Sequence, residues 1–235
     1  MLKNNFFALF LTLIISIVWL RAIDLLAHRE WLESKLSRKI IHIGTGPIFV
    51  LCWLLFQNTA SARFLAAIVP LIITFQFFLI GIGVIKDEAS VQAMSRTGNR
   101  KEILFGPLFY GVIFVLLTII YWYDSPIGII ALMVLCGGDG FAEIIGRKYG
   151  RSKIPWSKTK TWAGFFGMFA GGWLFSLLVI SIFIALGLFP GNFVDYLLPI
   201  SAINIAATLT ESLPIKEIDN ITITVASVLF GHLFF

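Results

Sequence analysis

The chain has 235 residues, of which 58% are hydrophobic and 13% charged, and its mean hydropathy is +0.92. Because a soluble domain carries about 25% charged residues, this composition excludes a water-soluble fold. Apolar runs follow one another along the chain, and each crossing of a bilayer takes about 20 such residues. We therefore predict an all-α, polytopic membrane helical bundle, with residues 1–235 forming a single integral membrane domain.

Continuous hydrophobicity predicts about eight spans, with the last one the weakest. Because a fifteen-residue helix reaches only about 22 Å, seven spans are the alternative. The first apolar run, Phe6 to Leu20, resembles a signal peptide, but no small-x-small cleavage site follows it, so we expect an uncleaved anchor. Cys52 and Cys136 lack metal-ligand spacing and are expected to be buried core residues. The predicted spans are about 5–22, 40–56, 62–85, 104–123, 126–146, 162–188, 193–212 and 221–235.

The loops between these spans differ sharply in charge. Of the 18 basic residues, all but Lys3 and Arg63 fall on one side of the predicted topology. The positive-inside rule places that side in the cytoplasm and the N-terminus outside. Topology and contact with anionic lipids explain any single basic residue. However, of the 13 acidic residues only Asp124 and Asp195 fall on the other side, and such mixed charge favours a functional site on the cytoplasmic face.

The strongest motif lies at residues 136–148, around Asp139 and Glu143. Their i,i+4 spacing places both carboxylates on one helix face, and a charge within an apolar span is a functional candidate. Two such carboxylates suit Mg²⁺ that also binds substrate phosphates. An internal Glu143–Arg147 salt bridge is one alternative. Glycines at 137, 138 and 140 indicate close approach of the backbone to a ligand or to another helix, and both remain open.

Four further polar clusters map to the same side. The basic loop 147–160 follows directly and contains Lys158 and Lys160, whose charges suit a polyphosphate. A lone histidine such as His42 is more often structural than catalytic, but its position on this side strengthens the functional interpretation. The other clusters are 95–102, 37–42, and Glu211 together with Asp219 and Asn220.

Familiar nucleotide-binding signatures are absent: neither a P-loop nor a G-x-G-x-x-G turn after a strand occurs in the sequence. Taken together in order and spacing, the five clusters resemble the phytol kinase branch of the membrane polyprenol kinase family. That family also includes dolichol kinases and, more distantly, CTP-dependent diacylglycerol kinases and CDP-diacylglycerol synthases. The matching residues are 37–42, 95–102 with 106–110, 136–150, 160–164, and 207–215 with Asp219 and Asn220.

The resemblance implies a kinase that transfers a phosphoryl group from CTP, with Mg²⁺, to phytol or a similar prenol for tocopherol or chlorophyll-phytol salvage. It assigns Asp139 and Glu143 to Mg²⁺ and Glu211 or Asp219 to the alcohol or a second metal, with His42 as a candidate base. The nucleotide-binding candidates are Arg38, Lys39, Arg96, Arg100, Lys101, Arg147, Lys148, Lys158, Lys160 and Asn220.

Two other functions fit the same features. A transporter also uses intramembrane acids and interrupted helices, although its ionisable groups should lie near the midplane. A cytidylyltransferase making a CDP-lipid would use the same nucleotide and metal. We expect membrane lipids but no nucleic acid as partners, and the sequence does not define an oligomeric state. The short start without a Ser/Arg-rich transit segment suggests a bacterial membrane protein, with a cyanobacterial origin as one option.

Overall fold

The computed structural model describes residues 4–32, 34–214 and 218–235. Across these ranges the chain is helical and contains no β-strand, only an isolated antiparallel bridge between Lys153 and Thr161. Helices are expected in a bilayer because each backbone N–H and C=O finds its partner within the same segment. The predicted all-α membrane bundle is therefore confirmed. The chain divides into two compact units, Met1–Ile119 and Ile120–Phe235, which are described separately.

In the first unit, α1 packs against α2, α3 and α4. The side chain of Asn4 caps α1 by accepting a hydrogen bond from the Phe6 N–H at 2.9 Å. The predicted end of the first span near residue 22 is wrong, because α1 continues to His28 and carries Arg21 and Asp24 on its last turns. The elements are α1 (Asn5–His28), α2 (Ser34–Cys52), a 3₁₀ turn (Trp53–Leu55), α3 (Ala62–Ile82), α4 (Glu88–Met94), a 3₁₀ turn (Arg100–Leu104) and α5 (Gly106–Tyr121), whose last two residues belong to the second unit.

The second unit is built around one continuous helical rod of three segments. Its span, Ile127–Tyr149, is 78% buried, against 44% for each of the other two spans of the unit. The elements are α6 (Ile127–Met133), a π-helical segment (Val134–Asp139), α7 (Gly140–Tyr149), α8 (Trp162–Ala185), α9 (Phe193–Glu211) and α10 (Asp219–Gly231).

Seven helices in the described ranges are long and apolar enough to cross a membrane. The eighth predicted span corresponds to α10, which has 13 residues and a length of about 20 Å. That is shorter than a hydrocarbon core of about 30 Å. The structure therefore agrees with the seven-span alternative, with α10 as a shorter apolar helix. Both cysteines are buried, as predicted.

Glycines allow α8 to lie close against the π segment. A Cβ added at Gly137 would lie 2.7 Å from the Gly171 carbonyl oxygen, and one at Gly138 would lie 2.8 Å from Met168 Sδ. Such distances leave no room for a side chain at either position. At Gly137 and Gly138 the structure therefore favours close helix packing over close approach of a ligand.

Candidate active site

The site is built around the end of the π segment, where Asp139 is the last residue. Single-turn π segments inside α-helices occur often at functional sites. Backbone angles at Asp139 are α-helical (φ −60°, ψ −37°), so Glu143 follows one turn later in α7, and both side chains are half-buried. Arg147, one turn further along α7, is exposed, and the Glu143–Arg147 salt bridge stays an alternative.

The loop after α7 carries Lys160 to the site. The Ile154 N–H donates to the Lys160 carbonyl at 3.1 Å, and the Lys160 N–H donates to Ser157 Oγ at 3.2 Å. Thr161 then caps α8 by accepting from the Gly164 N–H at 3.2 Å. These local bonds fix the backbone on both sides of Lys160.

The Lys160 ammonium lies between two carboxylates that come from different helices. It forms an ion pair with Glu211, the last residue of α9, and its Nζ lies 3.4 Å from Oδ2 of Asp219, the first residue of α10. The Glu211 side chain is only 6% exposed. Oδ1 of Asp219 is buried and accepts no hydrogen bond from the described residues.

Electrostatics join Asp139 to this group. Burial alone would lower the pKa of Lys160, but Glu211, then Asp219 and Asp139, outweigh burial and raise that pKa above its usual value. We call Lys160, Asp139, Glu211 and Asp219 the Lys160 cluster. In this cluster one ammonium meets the two carboxylates of Glu211 and Asp219 directly and feels the charge of Asp139.

Mg²⁺ usually binds through one or two carboxylates and substrate phosphates rather than in an all-protein cage. The described residues contain no group of three or more His, Cys, Asp or Glu side chains arranged to hold a metal by themselves. The half-buried Asp139 and Oδ1 of Asp219, which has no hydrogen-bond partner among the described residues, offer hard oxygen donors of the kind Mg²⁺ prefers. The cluster therefore fits a magnesium ion that arrives with a nucleotide.

A second contact holds the loop against α9, and the sequence did not identify it. Trp156 Nε1 donates to Ser212 Oγ at 3.0 Å, and the Trp156 ring meets the Trp162 ring edge-on. Ser212 directly follows Glu211, so this bond ties the loop next to the Lys160 ion pair. Trp156 is half-exposed, and its position just before a basic run was the one signal available in the sequence.

The other candidates in the second unit lie outside the cluster. The Lys148 ammonium lies 5.2 Å from the centre of the Tyr149 ring, and Lys158 is exposed. Asn220 is half-buried next to Asp219, and its carbonyl accepts from the Thr224 hydroxyl at 2.7 Å. Exposed lysines remain available to a phosphate, but the structure does not bring Lys148 or Lys158 into the cluster.

In the first unit, three candidates lie on α2. Lys39 is buried, Arg38 is half-buried, and the His42 ring lies 4.4 Å from the Tyr110 ring, centre to centre. The Tyr110 hydroxyl also donates to the His42 carbonyl at 2.7 Å. His42 is therefore supported by an aromatic neighbour within its own unit.

The remaining first-unit candidates lie in the loop before α5. Glu102 organises this loop by accepting from the backbone N–H groups of Arg96 and Thr97 and from the Thr97 hydroxyl. Arg100 packs its guanidinium against Gly83 at the end of α3, and the Lys101 side chain is exposed. The loop thus has a defined backbone, with its basic side chains near the surface.

Comparison with known proteins identifies the family. The sequence model of the cytidylyltransferase family matches residues 1–233, and the chain belongs to that family. It is 40% identical over 217 residues to a probable chloroplastic phytol kinase of Triticum aestivum, covering 92% of this chain and 72% of the relative.

Two Arabidopsis thaliana proteins are also similar over 212 residues. One is the chloroplastic phytol kinase 1, at 37% identity with 89% of this chain and 70% of the relative covered. The other is the chloroplastic farnesol kinase, at 39% identity, and the match covers 89% of this chain and 69% of the relative. These names agree with the resemblance to the phytol kinase branch. No solved structure matches the chain.

Proposed function

We propose that this protein phosphorylates a membrane-dissolved isoprenoid alcohol, phytol or a close analogue such as farnesol or geranylgeraniol, with CTP as phosphoryl donor. The observation that carries the proposal is the Lys160 cluster, which combines three carboxylates with one ammonium next to a half-buried helix turn. The similarity to kinases named for phytol and farnesol supports the choice of acceptor. The whole chain, residues 1–235, acts in this proposal as one kinase domain.

In this mechanism the alcohol oxygen attacks the terminal phosphorus of CTP, and the bond from that phosphorus to the bridging oxygen of the departing CDP breaks. The hydroxyl proton passes to a carboxylate, for which Glu211 and Asp219 are the candidates, with His42 as the alternative base. Phosphoryl transfer asks a protein mainly for positioning and charge stabilisation. Bound Mg²⁺ would neutralise charge on the phosphates, and Asp139 and Glu143 are the residues that would hold it.

Two groups of basic residues would position the nucleotide: Lys160 within the cluster and the cations outside it. Lys160 is held in place by its ion pairs and would turn towards the incoming phosphates. Exposed cations around it would add longer-range attraction for a polyanion. The remaining nucleotide-binding candidates are Arg38, Lys39, Arg96, Arg100, Lys101, Arg147, Lys148, Lys158 and Asn220.

The family name keeps one alternative, synthesis of a CDP-lipid, in which the acceptor attacks the α-phosphorus and pyrophosphate leaves. One experiment separates the two. Purified protein in detergent is incubated with labelled CTP, Mg²⁺ and phytol, farnesol, geranylgeraniol or diacylglycerol. We expect CDP and a prenyl monophosphate. Release of pyrophosphate together with a CDP-lipid would reject the kinase proposal. The transporter alternative has no support from the relatives, which are named as kinases.

We also propose that the site faces the cytoplasm or the corresponding compartment, on the basis of the basic loops. The named relatives are chloroplastic plant proteins, so they do not support the predicted bacterial origin. Single cysteines placed at Lys153 and at Asp195 test the sidedness. Labelling of both from the same side of sealed vesicles would contradict the proposed topology.

A further inference from the structure

A cavity of about 150 Å³ lies between α1, α3 and α4 of the first unit. One part of its wall is apolar and includes Ile17, Ile73 and Phe77. Another part is polar and includes Asp24 and Gln76. An enclosed apolar cavity of about this size holds a benzene-sized group, which gives the scale of the group that this half-open, partly polar cavity can take. The cavity is therefore large enough for the head of a lipid and the first part of its chain.

The polar wall offers hydrogen-bonding groups that the protein does not use. Asp24 has a side chain only 7% exposed, and its Oδ2 accepts from Ser90 Oγ at 3.1 Å and from Arg21 at 3.2 Å. Among the described residues nothing donates to its Oδ1, and nothing pairs with the Gln76 amide on α3. The cavity thus presents an open acceptor and an open amide within a membrane-spanning unit.

Charge selects the kind of head group that fits. Arg21 already pairs with Asp24 and, at 2.8 Å, with Asp87, so two carboxylates surround one guanidinium. A phosphate or carboxylate head would add a third negative charge next to these two. A neutral hydroxyl would instead donate to Asp24 Oδ1 and accept from the Gln76 amide.

We propose that this cavity binds the hydroxyl end of a neutral, single-chain alcohol dissolved in the bilayer, with its first isoprene unit against Ile17, Ile73 and Phe77. The identification of that alcohol as a prenol depends on the proposed function. The cavity itself follows from the first unit alone. Asp24 and Gln76 are binding residues in this proposal.

Photoaffinity labelling tests the site without any turnover. Purified protein in detergent, with no nucleotide, is irradiated with a farnesol analogue that carries a diazirine near its hydroxyl end, and labelled peptides are mapped by mass spectrometry. We expect labelling within 17–24 and 73–77. Unlabelled farnesol and phytol should compete, whereas farnesyl phosphate at the same concentration should not.

A matched pair of variants on α3 separates the cavity from the lipid-facing surface. Ile73→Trp fills the cavity, whereas Ile72→Trp adds the same side chain to a neighbouring residue that is 45% exposed. We expect Ile73→Trp to raise the concentration of unlabelled farnesol that halves the photolabelling by at least about tenfold, which corresponds to about 1.4 kcal/mol of binding free energy. Ile72→Trp should leave it unchanged. Asp24→Asn should weaken competition by farnesol, and Ile73→Trp keeps the test decisive if Asp24→Asn does not fold.

Three outcomes would overturn the inference: labelling that Ile73→Trp does not reduce, equal loss in both tryptophan variants, or equal competition by farnesyl phosphate. A parallel CTP assay keeps the two proposals apart. Specific labelling without phosphorylation would support the cavity and reject the proposed function. Phosphorylation of farnesol without labelling of the cavity would reject the cavity and support the function.

Discussion

Each unit contains a charged group in which one cation meets carboxylates from different helices, but the two groups differ in how fully those carboxylates are bonded. In the first unit, Arg21, Asp24, Asp87 and Ser90 form what we call the Arg21 cluster. There, both Asp87 oxygens are bonded, because Ser90 N–H donates to Oδ1 at 3.0 Å and Arg21 contacts Oδ2. In the Lys160 cluster, Asp219 keeps a buried oxygen that no described residue bonds.

This difference in bonding indicates a difference in role. A buried polar atom without a partner is costly, so its persistence needs an explanation such as an absent ion or water. Among the described residues, no atom of the Arg21 cluster is both buried and without a hydrogen-bond partner. Its unbonded carboxylate oxygen, Oδ1 of Asp24, belongs to a residue that lines the cavity, and the cluster also joins α1 to α4 and caps α4. The Lys160 cluster keeps a buried carboxylate oxygen that no described residue bonds, and it is therefore the better place for a bound cation.

The largest expected effect is on stability, through Lys160→Met. Removing the ammonium leaves Glu211 buried without its partner, which typically costs about 3–5 kcal/mol. Lys158→Met removes the same side chain from an exposed position two residues earlier and should leave stability unchanged. Denaturant unfolding of both variants in one detergent measures the difference. Equal stability of the two variants would show that the Lys160 ion pair does not contribute.

The raised pKa of Lys160 also determines how the stability lost in Lys160→Met should depend on pH. A raised folded pKa means that the stabilisation is fully present below the unfolded pKa of about 10.4 and is lost as pH rises through the higher folded value. We therefore expect no change in the Lys160→Met penalty between neutral pH and about pH 9. A penalty that already falls over that range would contradict the assigned direction.

The next effect is on catalysis, through Asp139→Asn. The substitution keeps the size of the side chain but deletes its charge, and losing one preorganised electrostatic partner costs about 10²–10³-fold in kcat. Glu88→Gln removes an exposed carboxylate from the first unit and should leave turnover unchanged. Turnover of CTP and farnesol as a function of Mg²⁺ concentration measures both. Near-wild-type turnover in Asp139→Asn would reject the metal assignment.

A smaller effect concerns the rod that carries Asp139. In Gly137→Ala the new Cβ would meet the Gly171 carbonyl oxygen at 2.7 Å, and overpacking of this kind costs about 1–3 kcal/mol. Gly106→Ala places a Cβ where nothing lies within 4 Å and serves as the control. Thermal unfolding of the two variants gives the comparison. A Gly137→Ala variant as stable as Gly106→Ala would mean that α8 is not closely packed there.

Much of the fold could be predicted from hydropathy, because a bilayer demands long apolar helices wherever the chain crosses it. The end of α1 could not. Arg21 and Asp24 read as loop residues by polarity, but Asp87 and Ser90, more than sixty positions away, pair with them and keep them within the helix.

The site shows the same division between local and distant information. The i,i+4 spacing of Asp139 and Glu143 was readable because a helix repeats over one turn. The π segment and the ion pair from Lys160 to Glu211 were not, because the π segment lies closely packed against the distant α8 and the ion pair joins residues 51 positions apart. The sequence placed Lys160 among several equivalent lysines, and only tertiary contacts distinguish it from Lys158.

The smallest expected effect concerns the Arg21 cluster, through Asp87→Asn. Burial acts to raise the pKa of Asp87, but hydrogen bonds from Ser90 and Arg21 outweigh burial and hold that pKa below its usual value. Asparagine keeps an oxygen for the Ser90 N–H that caps α4, but its amide nitrogen cannot accept from Arg21 or from Ser90 Oγ as Oδ2 of Asp87 does. Because Arg21 is half-exposed and Ser90 Oγ also lies 3.1 Å from Asp24 Oδ2, we expect a loss of about 0.5–1 kcal/mol at neutral pH.

The sign of the pH dependence makes this small effect measurable. A lowered folded pKa means that the stabilisation is present above the unfolded pKa of about 3.9 and is lost as pH falls through the lower folded value. The stability gap between wild type and Asp87→Asn should therefore narrow as pH is lowered from 6 towards 3. Glu88→Gln, at the exposed neighbouring position on the same helix, should show no such gap at pH 6. If this stability gap instead widened on acidification, folding would disfavour the charged form of the Asp87 carboxylate. The Arg21 cluster would then resemble the Lys160 cluster in having carboxylate charge that its own cation does not fully neutralise.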